Sequence, residues 1–207
     1  MTDHKERALE LVRSHLDRFL AGDAPGLCGR KSACGKWIRA GTNDVSAERN
    51  VRFVRREFAR LGFGGDGDLL EWWVRVPGLE LPRGSLFGVK GESDALLAPR
   101  QLERVPEWRW NRWLPLAGDR SGGTFVLDVA RIESAVEPVY FVDYELGIDR
   151  AAYRVASGLW PFLHGFLLDG VLPYRTQPRW WPFDRHRMAD FDPDLLALGT
   201  PIPLPWE

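Results

Sequence analysis

The sequence predicts an α+β fold, a central and mostly antiparallel sheet flanked by helices. Three observations carry this. Apolar residues recur at spacings of three and four near the N-terminus, at Leu9, Val12, Leu16, Phe19 and Leu20 and again at Val51, Val54, Phe58 and Leu61. From residue 79 the pattern becomes short apolar runs between turns, with strands expected at Ser85–Val89, Arg109–Leu116, Thr124–Val129 and Val139–Tyr144. Helical spacing then returns over Ser157–Asp169, with Leu159, Phe162, Leu163 and Phe166 on one face. A tight Gly-rich link, Gly118 to Gly123, joins two of the strands and makes them antiparallel neighbours.

The first helix is expected over residues 5–21, ended by Gly22 and Pro25. Residues 22–45 have no period and read as a loop, with a short turn around Trp37 and Ile38. Ser46 is the expected N-cap of a second helix, and Gly62 its C-terminal stop. A third, Asp68 to Val76, is capped by Asp68 and closed by Pro77-Gly78. Adjacent helical residues point about 100° apart, so Trp72 and Trp73 are not both expected to face fully inward. One should be partly exposed or lie under the tail. That tail, residues 171–207, holds 7 of the 15 prolines, the cluster Arg179-Trp180-Trp181-Pro182-Phe183, and a helical turn opened by Asp192-Pro193. So much apolar surface is expected to wrap the body. The division is then an N-terminal helix and loop extension (1–45), a main domain (46–170) and a Pro/Trp-rich tail packed upon it (171–207).

The chain has 207 residues, 44% of them hydrophobic, and 10 Trp, enough for one aromatic-rich core. Lys occurs 4 times among 28 basic residues. The net charge of −1 hides an asymmetry: residues 1–60 carry 13 basic and 8 acidic side chains, residues 61–207 carry 15 and 21. An acidic body suits a basic partner, although on charge alone ordinary solubility charge is the simpler account. The polar first residues lack a leader pattern and no apolar run reaches membrane-spanning length, so a cytoplasmic location is expected.

Few residues nominate chemistry. The stretch Gly29 to Lys36 has the wrong glycine spacing for a phosphate loop, and Trp37 stands where a magnesium-binding hydroxyl would be. Cys28 and Cys34, with the scattered His4, His15, His164 and His186, match no metal spacing, and no cofactor is expected. His164 sits in an apolar helix and reads as a partly buried packing residue. Asp143 with Glu145, and Asp190, Asp192 and Asp194, are paired carboxylates of the kind that do acid–base work, yet their turn positions suit solvated loops and a helix cap. Arg49, Arg52, Arg56 and Arg60 line one face of the second helix; they could grip phosphates or an acidic partner, or simply form a solvated face. Arg179, Trp180 and Trp181 combine the residue types enriched in interface hot spots and are the candidate partner-binding group.

An ordered set of short motifs over residues 46–170 resembles the SUKH superfamily. It comprises Leu61-Gly62, the helix Asp68-Leu-Leu-Glu-Trp-Trp ending in Pro77-Gly78, Ser85-Leu86-Phe87-Gly88, Trp113 to Asp119, Gly122 to Asp128, Pro138 to Asp143, and Val155-Ala156 before Phe162-Leu163. The Leu81-Pro82 step follows the third helix, where the family often has it before. The resemblance implies an antiparallel sheet wrapped by helices, no catalytic residues, and a protein-binding role. In bacteria that role is an immunity protein neutralising a cognate toxin, often a nuclease; in eukaryotes it is a regulatory interaction module. A non-enzymatic binding protein is therefore expected. A scaffold whose Arg helix contacts nucleic acid is the alternative, and a small hydrolase using the carboxylates ranks last.

Overall fold

Helix α1 (His4–Ala21) and helix α2 (Asp44–Leu61) open a computed structural model that describes residues 3–21, 44–63, 67–81, 84–91, 93–119, 122–129, 137–171, 185–199 and 201–207. Next come α3 (Asp68–Arg75), strands β1 (Leu79–Leu81) and β2 (Gly84–Leu86), a 3-10 turn (Asp94–Leu96), and helices α4 (Ala98–Arg104) and α5 (Glu107–Trp110). Strands β3 (Trp113–Asp119), β4 (Thr124–Asp128), β5 (Val139–Val142) and β6 (Tyr153–Ala156) complete the sheet. Helices α6 (Leu159–Val171), α7 (Arg185–Phe191) and α8 (Pro193–Ala197) follow. The sheet runs β1-β2-β3-β4-β5-β6 with every neighbouring pair antiparallel. The chain is an α+β protein built on a six-stranded antiparallel meander.

Both sheet faces are covered. On one, Phe125 meets Phe162 and Phe166 of α6 at ring-centroid distances of 5.2 and 5.6 Å. Residues alternate across a strand, so Thr124 and Val126 point the other way. There the Thr124 hydroxyl lies 3.2 Å from that of Tyr144, whose ring stacks on Trp108 of α5. All residues of β4 and β5 are consequently buried. The core reaches into both ends of the chain, with Ala8 and Val12 of α1, Met188 of α7, Leu195 of α8 and Leu204 all joining it.

The structure corrects several local expectations. Trp72 and Trp73 are both buried, at 1% and 0% exposure. Helix α3 has neighbours on two sides: Trp73 packs on Phe58 of α2, and Trp72 meets Trp160 of α6 edge-on. Arg109 and Trp110 belong to α5, and β3 begins only at Trp113. Pro106 opens a helical turn, and Arg112, with φ of 57°, breaks it before the strand. The strand expected at Ser85–Val89 stops at Leu86: the Phe87 N–H still bonds the Leu116 carbonyl of β3, but Gly88 turns aside to bond Leu96 and Ala98 at the start of α4. That expected at Val139–Tyr144 stops at Val142, where Asp143 starts a turn. Helix α6 starts at Leu159, two residues after Ser157. Strands β1 and β6 were not expected at all. Residues 22–43 and 172–184, including the Trp37–Ile38 turn, Cys28, Cys34, Arg179, Trp180 and Trp181, lie outside the described residues.

Two glycines fix the path around α3. Gly62, at φ of 79°, ends α2: its N–H reaches the Ala59 carbonyl and the Phe63 N–H reaches that of Phe58, at 3.1 and 3.0 Å. This double closure needs a left-handed residue. Gly88 crosses Gly78 so closely that a Cβ there would lie 2.4 Å from the Gly78 nitrogen. The crossing is tied by Gly78 N–H to Lys90 carbonyl, Gly88 N–H to Leu96 carbonyl and Ala98 N–H to Gly88 carbonyl, at 2.7, 3.0 and 2.9 Å. Gly62→Ala is expected to cost about 1 kcal/mol from the left-handed backbone alone. Gly88→Ala is expected to cost about 2–3 kcal/mol, because backbone must move. Urea unfolding midpoints check both the values and their order.

Candidate functional site

Helix α2 presents the basic face. Its inner stripe, Val54, Phe58 and Leu61, is buried, and the buried Asn50 donates to the Val74 carbonyl at 3.1 Å, docking α2 on α3. The outer face carries Arg49, Arg52, Arg55, Arg56 and Arg60, all exposed. Its C-terminal half is engaged at home. Arg56 lies over the Phe53 ring, and Arg60 bonds Glu57 at 3.0 Å and approaches Glu103 of α4 at 3.7 Å. Glu103 also accepts from Arg100 at 2.5 Å, and that bond holds its carboxyl below the ordinary range. Arg49 and Arg52 form no ion pair among the described residues. The predicted stripe thus splits into a bridged half and an available half.

The predicted carboxylate groups do not converge. Asp143 accepts from the Glu145 N–H at 2.9 Å, a turn-forming bond, while Glu145 itself is exposed. Asp190 and Asp194 are exposed, but Asp192 is only 2% exposed. Asp192 occupies the N-cap position of α8, and its side chain accepts the Ser157 N–H and hydroxyl at 2.8 and 2.6 Å. Asp192 thus sits at the expected cap position, but it is buried and also ties the tail to the start of α6. Burial pushes its carboxyl up, resisted by the two Ser157 donors. In the Ser-His-Asp arrangement an imidazole takes the serine proton; the Ser157 hydroxyl instead donates to a carboxylate. Among the described residues no group of three or more His, Cys, Asp or Glu is placed to hold a metal ion.

His164 is half-buried, as expected of a packing residue, but its partner could not be read locally. Its Nδ1 lies 2.9 Å from Nδ1 of His4, 160 residues away. Phe191 of α7 packs on both rings, at centroid distances of 4.8 and 4.9 Å. Burial, with the neighbouring His4 and Arg7, pushes the His164 imidazole down to about 4. Burial lowers His4 too, against the pull of Asp192, the Phe191 backbone and Asp3. Beside this group Lys5 bonds Glu71 of α3 at 2.5 Å and lies over the Trp160 ring.

A further group was not anticipated. Trp110, Tyr144 and Leu146 are the large hydrophobics most exposed among the described residues, at 78%, 42% and 60%. They project from two segments locked together: the fully buried Trp108 donates its indole N–H to the Ile148 carbonyl at 2.7 Å, and Asn111 donates to that of Asp149 at 3.1 Å. Residues 143–149 carry Asp143, Glu145 and Asp149 with no base between them. Of the nearby arginines, Arg109 faces Glu103, Arg112 turns to the Gly62 carbonyl and the Phe63 ring, and Arg150, exposed, directly follows Asp149. The signal in the sequence was Trp108-Arg-Trp110: once that stretch is helical, residues two apart cannot share one face.

Asp192→Ala is expected to lower stability by about 2 kcal/mol, since it strands a buried N–H and hydroxyl of Ser157. Asp190→Asn and Asp194→Asn should lie within about 0.5 kcal/mol of the parent, a contrast that thermal unfolding of the three variants measures directly. No family model matches this sequence, and neither a curated protein nor a solved structure matches it.

Proposed function

We propose that this protein is a non-enzymatic binding protein that grips a basic protein, in the manner of a SUKH-type immunity protein neutralising a toxin. The observation that carries the reading is the exposed set Trp110, Tyr144 and Leu146 on an acidic loop. Its base is rigid, because the Trp108 and Asn111 bonds fix α5 to the loop before any partner arrives. Aromatic anchors ordered in advance bind at low entropic cost and are the residue types that dominate interface energies. Asp143, Glu145 and Asp149 around them favour a basic partner over an acidic one and would speed encounter. The motif order shared with the SUKH superfamily supports the same conclusion. So does the structural employment of Asp143 and Asp192, each of which satisfies backbone or buried hydroxyl groups.

The test is co-expression with the product of the neighbouring gene as the candidate toxin, followed by measurement of the purified complex. Growth rescue and a stable complex are expected. Trp110→Ala with Leu146→Ser should weaken binding by about thirtyfold, a hot-spot loss near 2 kcal/mol. Glu145→Lys with Asp149→Lys should slow association chiefly at low salt. The absence of both rescue and complex would remove the functional reading; full binding by the Trp110/Leu146 variant would remove this surface from it.

A second reading rests on Arg49 and Arg52, exposed and without ion pairs among the described residues. It makes α2 a phosphate-backbone contact. Binding to duplex or single-stranded nucleic acid should then fall steeply with salt and weaken in Arg49→Glu/Arg52→Glu. A gel shift that stays blank in 20 mM salt, about the lowest practical ionic strength, rules this reading out.

A further inference from the structure

The junction of α1, α6 and α7 is closed by a contact that tolerates only some protonation states. His4 and His164 meet through their Nδ1 atoms at 2.9 Å. One ring can donate across that contact only if the other accepts. Two imidazolium rings would set N–H against N–H and positive charge against positive charge. Phe191 packs edge-on against His4 and tilted against His164, so displacing either ring loosens the tail segment as well as α1.

We propose that the His4–His164–Phe191 junction is a proton-operated clasp: neutral imidazoles hold α1 and the α7–α8 segment on α6, and protonation of both releases them.

Charged groups surround the pair on α1 and on the α7–α8 segment, and α3 reaches Lys5 beside it. On α1, Arg7 opposes charge on His164, while Asp3, just before the helix, favours charge on His4. Lys5 is held by Glu71 of α3, which also bonds Arg75 at 3.1 Å. From the tail, Asp192 faces His4 and favours its charged form, whereas Asp190, Asp194, Arg185, His186 and Arg187 are exposed. The first proton is therefore accommodated on His4, between Asp192 and the His164 lone pair. The second has no such support. His164 lies in an otherwise apolar stretch of α6, and its charge is opposed by His4 once that is charged and by Arg7, which bonds Glu10 at 3.2 Å.

The sign follows from burial. Both imidazoles are lowered from the ordinary 6.5, and His164 reaches about 4. Neutral forms are thus favoured in the closed state, and the closed state is fully stabilised above pH 6.5. As pH falls from there toward 4, the open form takes up protons first and closure weakens. Asp192, raised by burial, opposes this in part by taking a proton in the closed form, but its neutralisation also removes the charge that supports His4. Opening would uncover the inner side of α1, with Ala8 and Val12, and the side of α6 beneath it. This device is separate from the proposed binding surface at α5.

Hydrogen–deuterium exchange of the full chain between pH 7.5 and 4.5 tests it, with rates corrected for intrinsic chemistry. Amides of α1 and of residues 185–197 should lose protection by up to about tenfold per pH unit per linked proton, while β3 and β4 stay protected. His4→Gln/His164→Gln, a pair that can hydrogen-bond but not ionise, should hold its protection across the range. His164→Lys should be open at pH 7.5. The proposal is overturned if parent protection of α1 is flat, if α1 and the sheet lose protection together, or if the Gln pair opens as the parent does. Should the Gln pair fail to fold, imidazole titration of the parent by NMR decides. A His164 midpoint near 6.5 with α1 still protected overturns the clasp, and a lowered midpoint that coincides with loss of α1 protection supports it.

Discussion

Helix α3 has to bury two adjacent indoles, and the arrangement of the rest of the molecule around it follows from that requirement. Burying about 200 Å² of each ring is worth roughly 5 kcal/mol before entropy, as an upper bound. Neither ring can be satisfied by a single neighbour, because their directions diverge. Helix α2 therefore supplies Phe58 against Trp73, and α6 supplies Trp160 against Trp72. The Trp73 indole N–H must also find an acceptor in a dry environment, and it takes the Phe87 carbonyl at 3.0 Å. That bond falls where the chain leaves β2. The third helix, the first hairpin and the Gly78–Gly88 crossing are thus positioned by the same pair of side chains.

This also explains which elements were legible in the sequence. Helices α1, α2 and α6 were, because each buries one stripe and exposes or shares the rest, so their period survives in the residue pattern; α4 and α7 were not expected. Strands β3, β4 and β5 were legible because they are apolar runs bounded by turns. Strand β1 is three residues long, too short for any period to register. In β6 a buried Arg154 breaks the apolar run; its backbone N–H is taken by Pro203 and its guanidinium by the Leu198 carbonyl, so its burial depends on the tail. Arg109-Trp110 imitated strand alternation, and only the Pro106 opening and the left-handed Arg112 decide otherwise.

The candidate sites follow the same division. The arginines of α2 were visible as a helical stripe, but Arg60 at its end is also drawn to Glu103, which belongs to a different helix. Asp192 was visible as a cap, and its actual partner, Ser157, lies 35 residues upstream. The exposed group around Trp110 was hidden behind the wrong assignment of α5. In each case the residue type was readable, whereas the partner that determines its role is set by tertiary structure.

The molecule joins its parts by two different kinds of contact. The sheet, α3 and the inner side of α6 are held by aromatic and aliphatic packing that no modest change of pH or salt removes. Both chain ends are latched through polar groups as well: His4 and Lys5 at one end, Asp192, Arg154 and Glu207 at the other. Polar latches at the periphery are where partial opening costs least, because each can exchange its partner for water. The β6 edge shows why the tail latch matters. Arg154 N–H bonds Pro203 at 2.8 Å, so the tail covers a strand edge that would otherwise present free donors and acceptors. Loosening the tail would leave the sheet intact but give it an open edge, whereas loosening α1 would bare apolar side chains. The two ends thus protect the same core from two different hazards, strand pairing and hydrophobic association, and both converge on α6.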